Sequence, residues 1–226
     1  MAANDQLIVA AIVVAAGDGR RLGADVPKAF VPIGGRTLLE HAVERLAAHA
    51  RVSRIVIAVP AASVSIAQEL VPDAVVVAGG PTRQQSVALA LSSVPGDVDL
   101  VLVHDAARAF VPLDVITRVV AALEAGADGV VPTLPVSDTI RTVHPASGEL
   151  GELVDRSRLL AMQTPQGFRR DVLAKAHAAG VDANATDDAA LVEALGHQVI
   201  AVRGDERAFK VTVPLDLALA EAMLRA

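Results

Sequence analysis

From Leu7 to Ala16 the chain is apolar without interruption, and it then runs straight into a loop of glycines and arginines. A strand with one wet face alternates apolar and polar residues, whereas a strand buried on both faces reads as an unbroken apolar run. The segment is therefore expected to be the first strand of a parallel sheet covered on both sides. It is too short for a bilayer, which takes about 20 residues. Residues 1–6 carry no Lys or Arg of the kind that opens a secretory signal.

Such a strand needs helices on each side, and the rest of the chain alternates accordingly. Strands are expected at 7–14, 54–59, 74–78, 100–103 and 129–131. One helix is expected from Leu38 to about Ala50, where Thr37 and Glu40 have the spacing of a capping box. A second starts after Thr82, with Gln85 three residues on, and a third follows Pro112 and stops at Gly126. Helical pattern returns after Arg170, Thr186 and Pro214, with a strand at 198–202 between the last two. Repeated strand–helix–strand units imply an α/β fold with a mostly parallel sheet and helices on both faces. The 226 residues fit one large domain of this kind. The stretch 133–155 breaks the rhythm. It is polar, holds Pro135, Pro145 and Gly148, and has a β-compatible run at 138–143, so it reads as a protruding β-hairpin arm.

Composition removes several function classes. Without Cys there is no disulfide, thiolate nucleophile or Cys-ligated metal, which fits a reducing, cytoplasmic setting. A formal charge of −6, no Trp, no Tyr and four Phe leave neither the basic groove nor the stacking rings of a nucleic-acid binder. The histidines are scattered and give no metal-ligand spacing.

Chemistry concentrates in a few places. After the first strand come Ala15-Ala16-Gly17-Asp18-Gly19-Arg20-Arg21-Leu22-Gly23 and then Pro27-Lys28. Glycines at the carboxyl end of a first parallel strand let backbone N–H groups approach phosphate oxygens. The spacing G-x-G-x-x-x-G is neither the dinucleotide fingerprint nor a P-loop. What distinguishes the loop from a plain surface turn is the charge of Arg20, Arg21 and Lys28. The fourth strand leads into His104-Asp105-Ala106-Ala107-Arg108, and a carboxylate there opens into the same crevice and suits Mg²⁺ on a nucleotide. Taken alone, Asp105 would read as a cap or as an ion pair to Arg108. Lys210 lies between Phe209 and Val211, as a snorkelling lysine does. Asp187 and Asp188 open a helix and read as capping residues.

Together these segments resemble the cytidylyltransferase family of the non-mevalonate isoprenoid pathway. The likeness runs from roughly Ile8 to Leu224, in order: AAGDGRRLGADVPK, the Gly79-Gly80 turn with Arg83 and Ser86, VHDAAR, VSDTIR, VDRSRL, QTPQGF, ATDDAALVEALG, and FKVT followed by PLDLALAE. The first segment marks only the wider nucleotidyltransferase superfamily, while the full set is specific.

The resemblance implies a Rossmann-like, GT-A-like fold and a cytoplasmic homodimer paired through the arm. It implies transfer of CMP from CTP to 2-C-methyl-D-erythritol 4-phosphate, with Mg²⁺ and release of pyrophosphate. It assigns Arg21 and Lys28 to the reacting α-phosphate and Asp105 to the metal. Ala15, Ala16, Gly17, Gly19 and Arg20, with Gly79, Gly80, Arg83 and Ser86, would hold the nucleotide. Arg156 and Lys210 would position the acceptor phosphate, and Asp105, Arg108, Thr139, Thr164 and Thr186 would line the acceptor pocket. Two positions depart from the family pattern: Ala109 stands where Pro is usual, and Ala208 where Asn is usual.

Two alternatives remain. A ribitol-5-phosphate cytidylyltransferase would share the cytidine half and differ at the acceptor residues. A non-catalytic nucleotide-binding homologue is opposed by the joint presence of Arg21, Lys28, Asp105 and Lys210. Neither nucleic acid nor a membrane is expected as a partner.

Overall fold

In the computed structural model, which describes residues 7–17, 22, 26–180 and 187–225, the apolar run becomes β1 (Val9–Val14). Its alternate residues serve two cores. Val9, Ala11 and Val13 join one cluster and Ala10 and Ile12 the other, all without exposed surface. This is why the run shows no polar position.

The chain then forms a small hairpin, β2 (Pro32–Ile33) and β3 (Arg36–Thr37). Its turn residues Gly34 and Gly35 both have positive φ. α1 (Leu38–Ala47) starts on a complete capping box between Thr37 and Glu40. β4 (Val52–Val59), α2 (Val64–Leu70) and β5 (Val75–Ala78) follow. α3 (Arg83–Ser92) has the second complete capping box, Thr82 with Gln85. β6 (Leu100–Asp105), α4 (Leu113–Glu124) and β7 (Gly129–Pro135) come next, with Gly126 at positive φ just beyond the end of α4.

An arm of β8 (Ile140–Val143) paired antiparallel with β9 (Leu150–Val154) projects here. The chain returns through β10 (Leu160–Met162) and β11 (Gln166–Arg169). It ends with α5 (Arg170–Ala178), α6 (Asp188–Ala194), β12 (Val199–Arg203) and α7 (Pro214–Arg225).

The main sheet has eight strands, in the order β10-β7-β11-β6-β1-β4-β5, with β12 also paired to β7. β4 and β6 flank β1 in parallel, and β5 and β12 add in parallel to β4 and β7. Helices α1, α2 and α4 cover one face, while α3, α5 and α6 cover the other.

Three expectations need correction. The sequence reading contains no strand at 160–162 or 166–169, yet β11 wedges antiparallel between β6 and β7. QTPQGF has no strand-like periodicity; its conformation is imposed by the two neighbours. Gly167 makes the fit possible, since a Cβ there would stand 2.5 Å from Val119 Cγ1 and 2.7 Å from Leu123 Cδ1. The arm also begins later than residue 133. Thr133 is buried in β7 and its carbonyl accepts a hydrogen bond from Gly204, so the main sheet continues to Pro135. The short helix α2 was not expected either.

A third, smaller core lies beside the sheet. Leu22, Val31, Ile33, Leu38, Phe110, Val211 and Ala220 form it. It fastens α7 and the β2–β3 hairpin to the loop after β6, close in sequence to the two lysines described next.

Candidate active site

A cavity of about 830 Å³ opens at the carboxyl ends of β1, β5 and β6, where open α/β sheets bind ligands. It is lined by Val14–Gly17 on one side, by the Gly79–Arg83 turn with Ser86 on another, and by Asp105–Ala107 between them. Lys28, Lys210 and Thr212 complete the charged and polar rim. Hydrogen bonds that continue the sheet ladder fix where each loop departs. Ala15 donates to the Ala58 carbonyl at 2.8 Å, Gly79 to Val59 at 2.7 Å and Ala106 to Val14 at 3.1 Å.

The Gly79-Gly80 turn is small by necessity. A Cβ on Gly79 would meet Ser86 Oγ at 2.9 Å and Ala16 Cβ at 3.0 Å. Ser86 is fully buried; its hydroxyl accepts from Gly80 N at 3.1 Å and donates to the Thr82 carbonyl at 2.9 Å. Ser86 thus fixes the shape of the turn that faces the cavity.

Asp105 is held from behind and in front. Behind it, the Asp105 N–H donates to Thr164 Oγ1 at 3.1 Å, and Thr164 lies 3.0 Å from His104 Nδ1. The Arg108 carbonyl, 3.2 Å from His104 Nε2, can only accept, so in the neutral ring Nδ1 is the acceptor and the Thr164 hydroxyl donates to it. His104 Nε2 thus carries the ring's proton. Burial pushes the His104 pKa down to about 4, in keeping with this neutral form. In front, Arg83 Nε reaches Asp105 Oδ1 at 3.2 Å and Lys210 Nζ reaches Oδ2 at 2.7 Å. Burial alone would raise the carboxyl's pKa, but the charges of Arg83 and Lys210 hold it well below the usual range. Asp105 is an ionised group on the cavity floor, flanked by two cations.

Residues 9–226 match the family model for 2-C-methyl-D-erythritol 4-phosphate cytidylyltransferase. The chain belongs to this family. It is 48% identical to the enzyme of that name from Streptomyces avermitilis, over 95% of this chain and 91% of the relative. It is 51% identical to the one from Saccharopolyspora erythraea, over 96% of this chain and 99% of the relative. Among solved structures, that of the cytidylyltransferase from Thermus thermophilus superposes with a TM-score of 0.80 at 38% identity, over 95% of this chain and 98% of that one. The chain is accordingly a cytidylyltransferase of the nucleotidyltransferase class.

Of the residues that the cytidylyltransferase resemblance assigns, the fold gathers Ala15, Ala16, Gly17, Lys28, Gly79, Gly80, Arg83, Ser86, Asp105 and Lys210 around one cavity. Gly19, Arg20, Arg21 and Thr186 lie outside the described residues. Thr164 is buried behind Asp105 and acts on it through the backbone. Arg108 meets Asp105 through the backbone, its N–H donating to the Asp105 carbonyl at 2.9 Å, and its side chain turns elsewhere. Its guanidinium donates to the Ala208 carbonyl at 2.8 Å and the Met162 carbonyl at 3.0 Å, tying the two loops together. Thr139 and Arg156 are exposed at the base of the arm, outside the cavity lining, and Arg156 donates to the Ser137 carbonyl.

Lys210 does not snorkel from a strand. The segment around it is held by Val211 N on the Ala107 carbonyl at 2.8 Å and by Phe209 stacked on Phe110, ring centres 6.4 Å apart. Two residues on, Thr212 is fixed by Asp216, which accepts from its N–H at 2.6 Å and its hydroxyl at 2.7 Å. Lys28 sits in a 3-10 turn directly after Pro27, and its charge acts on Asp216 as well. The role of Asp216 was not legible in PLDLALAE, where it reads only as an acidic residue in the first turn of a helix. Ala109 and Ala208, the departures from the family pattern, are both fully buried away from the cavity.

Among the described residues, no group of three or more His, Cys, Asp or Glu could hold a metal alone. Mg²⁺ on a nucleotide commonly takes one or two carboxylates and completes its shell with phosphate oxygens and water. A single ionised Asp105 on the cavity floor fits that donor set.

Proposed function

We propose that this cytidylyltransferase transfers CMP from CTP to 2-C-methyl-D-erythritol 4-phosphate in isoprenoid precursor synthesis, releasing pyrophosphate. The observation that carries the reading is the convergence of Ala15, Ala16, Gly17, Lys28, Asp105 and Lys210 on one cavity at the strand ends.

The chemistry sets the demand. A phosphate oxygen of the acceptor attacks the α-phosphorus of CTP; a new P–O bond forms there and the bond to the β-phosphate breaks, with pyrophosphate leaving. The acceptor brings its own nucleophile, so no side-chain nucleophile is needed. The obstacle is that an anion approaches an anion. Unit charges about 4 Å apart interact by roughly 4 kcal/mol at an effective dielectric near 20. Cations fixed in advance offset this repulsion, most strongly where charge develops in the transition state. Lys28 lines the cavity and, in this reading, would meet the α-phosphate together with Arg21. Lys210, also in the lining, would meet the acceptor phosphate. The Gly79-Gly80 turn, too narrow for side chains, presents backbone to the nucleoside. Asp105 would hold Mg²⁺, which supplies charge neutralisation on the triphosphate.

The arm supports a homodimer reading. β8 and β9 form a two-stranded sheet, and an isolated hairpin is marginal in water. Val143, Leu150 and Leu153 on it are each more than half exposed. A partner subunit would cover them, and Arg156 and Thr139 at the arm's base would then serve the neighbour's acceptor site. A cytoplasmic location follows from the substrates, since CTP is an intracellular metabolite; among the described residues no helix is long and apolar enough to cross a membrane.

The test is pyrophosphate release from CTP with 2-C-methyl-D-erythritol 4-phosphate or ribitol 5-phosphate, with and without Mg²⁺. Turnover with the first acceptor only, dependent on Mg²⁺, is expected. Preference for ribitol 5-phosphate would replace the acceptor, and no release with either would leave a nucleotide-binding homologue.

A further inference from the structure

Asp188 has a role that its position at a helix start conceals. It is the first residue of α6, but the cap is its neighbour: Asp187 accepts from Ala190 N at 3.1 Å. Asp188 has no exposed surface. Its two oxygens are committed to separate partners. Oδ1 lies 2.9 Å from His177 Nε2 on α5, and Oδ2 accepts from Arg83 Nη1 at 2.6 Å.

Arg83 in turn lines the cavity and bridges two carboxylates, Asp188 through Nη1 and Asp105 through Nε. A chain of charge-assisted bonds therefore runs from the buried His177 through Asp188 and Arg83 to Asp105 and Lys210 on the cavity floor. The His177 ring nitrogen that faces a carboxylate must be an N–H. Its other nitrogen, Nδ1, is buried with no hydrogen-bond partner among the described residues. Among the described residues the ring therefore serves Asp188 alone.

We infer that Asp188 is a positioning residue for the nucleotide half of the reaction: with His177 it holds Arg83 against the cavity independently of Asp105. The reason is a competition. Asp105 has ligands to meet on the cavity side, and Lys210 has a phosphate to meet. If Arg83 depended on Asp105 alone, it would follow that carboxylate whenever its contacts changed. A second, fully buried carboxylate anchored from behind keeps the guanidinium still. Arg83 itself sits at the first turn of α3, beside the turn that Ser86 shapes, which places it next to the nucleoside rather than the acceptor.

This inference rests on the proposed CTP reaction, and the experiment separates the two. CTP binding is measured by calorimetry in the presence of Mg²⁺, without acceptor, for wild type, Asp188→Asn, Arg83→Gln and the double variant. His177→Gln and Asp188→Glu are added, with melting temperatures for all. Asp188→Asn is expected to weaken CTP binding about tenfold, with the acceptor KM at saturating CTP changed less than about twofold, since a coupling of this kind between sites is typically about 5–150-fold. His177→Gln should weaken it in the same direction, and Asp188→Glu should restore part of the affinity. In the Arg83→Gln background Asp188→Asn should add little, because the residue acts through Arg83. If Asp188→Asn lowers the melting temperature but leaves CTP affinity intact, or if the two substitutions are additive in binding, the pair is a structural ion pair only and the inference is overturned. If wild type fails to bind CTP at all, it is the functional reading that falls.

Discussion

Lys210 Nζ lies 2.7 Å from Asp105 Oδ2, so the group proposed to receive the acceptor phosphate is paired with the carboxylate proposed to receive the metal. Each must exchange this partner for a ligand. Lys210→Ala should therefore lower kcat by about 10²–10³, the usual loss of one preorganised donor. At the same time it should lower the Mg²⁺ concentration needed for half-maximal activity, because a competitor for Asp105 is gone. Turnover measured against Mg²⁺ checks both. An unchanged Mg²⁺ requirement would place the metal away from Asp105.

Lys28 is stiffened by the fixed φ of Pro27, and its charge is felt by Asp216. Lys28→Ala is expected to reduce kcat by about 10²–10³ with a smaller change in KM for CTP, and Arg21→Ala to do the same. A rise in KM alone would show that these cations bind the ground state and do not act on the transition state.

The arm gives a complementation test. Removing residues 139–153 spares β7 and should give a folded monomer with little activity. Mixing inactive Arg156→Ala with inactive Lys28→Ala should restore part of the activity, since a mixed dimer holds one site with both residues intact. A deletion variant that still sediments as a dimer, or a mixture that stays inactive after proven subunit exchange, would return Arg156 to its own chain.

Asp188 also sets an acid dependence. Burial alone would raise its pKa; the hydrogen bond from His177 and the charge of Arg83 outweigh burial and lower it. As pH falls, the unfolded chain takes up this proton first. The contribution is fully present above the unfolded value of 3.8 and is lost as pH falls toward the folded one. Asp188→Asn should cost about 3 kcal/mol at pH 7, because it leaves Arg83 and His177 with a neutral partner. The gap to wild type should narrow as urea unfolding is repeated from about pH 5 down to about pH 3. A constant gap would mean that folding leaves this carboxyl's pKa unshifted, and a gap that widened toward acid would mean that the native carboxyl is neutral.

What the sequence decided alone is local. The unbroken run from Leu7 to Ala16 demanded a strand with two covered faces, and β1 has them. The capping boxes at Thr37–Glu40 and Thr82–Gln85 each close within one helical turn, so their geometry needs no information from elsewhere, and both are present. The cavity residues of the glycine loop were legible for the same reason: a glycine-rich turn at the end of a first parallel strand has one place to go. β11 was not legible, because Gln166–Arg169 is extended only by virtue of β6 and β7 on either side.

The adjacent pair Asp187 and Asp188 draws the boundary most sharply. The two are chemically identical and one residue apart, and the sequence reads both as caps. Capping is settled within a single turn, and Asp187 does it. The fate of Asp188 depends on α5 and on an arginine 105 residues away. Burying a carboxylate is tolerable only where cations already wait. Only the packing of α3, α5 and α6 on one face of the sheet brings Arg83 and His177 to that point.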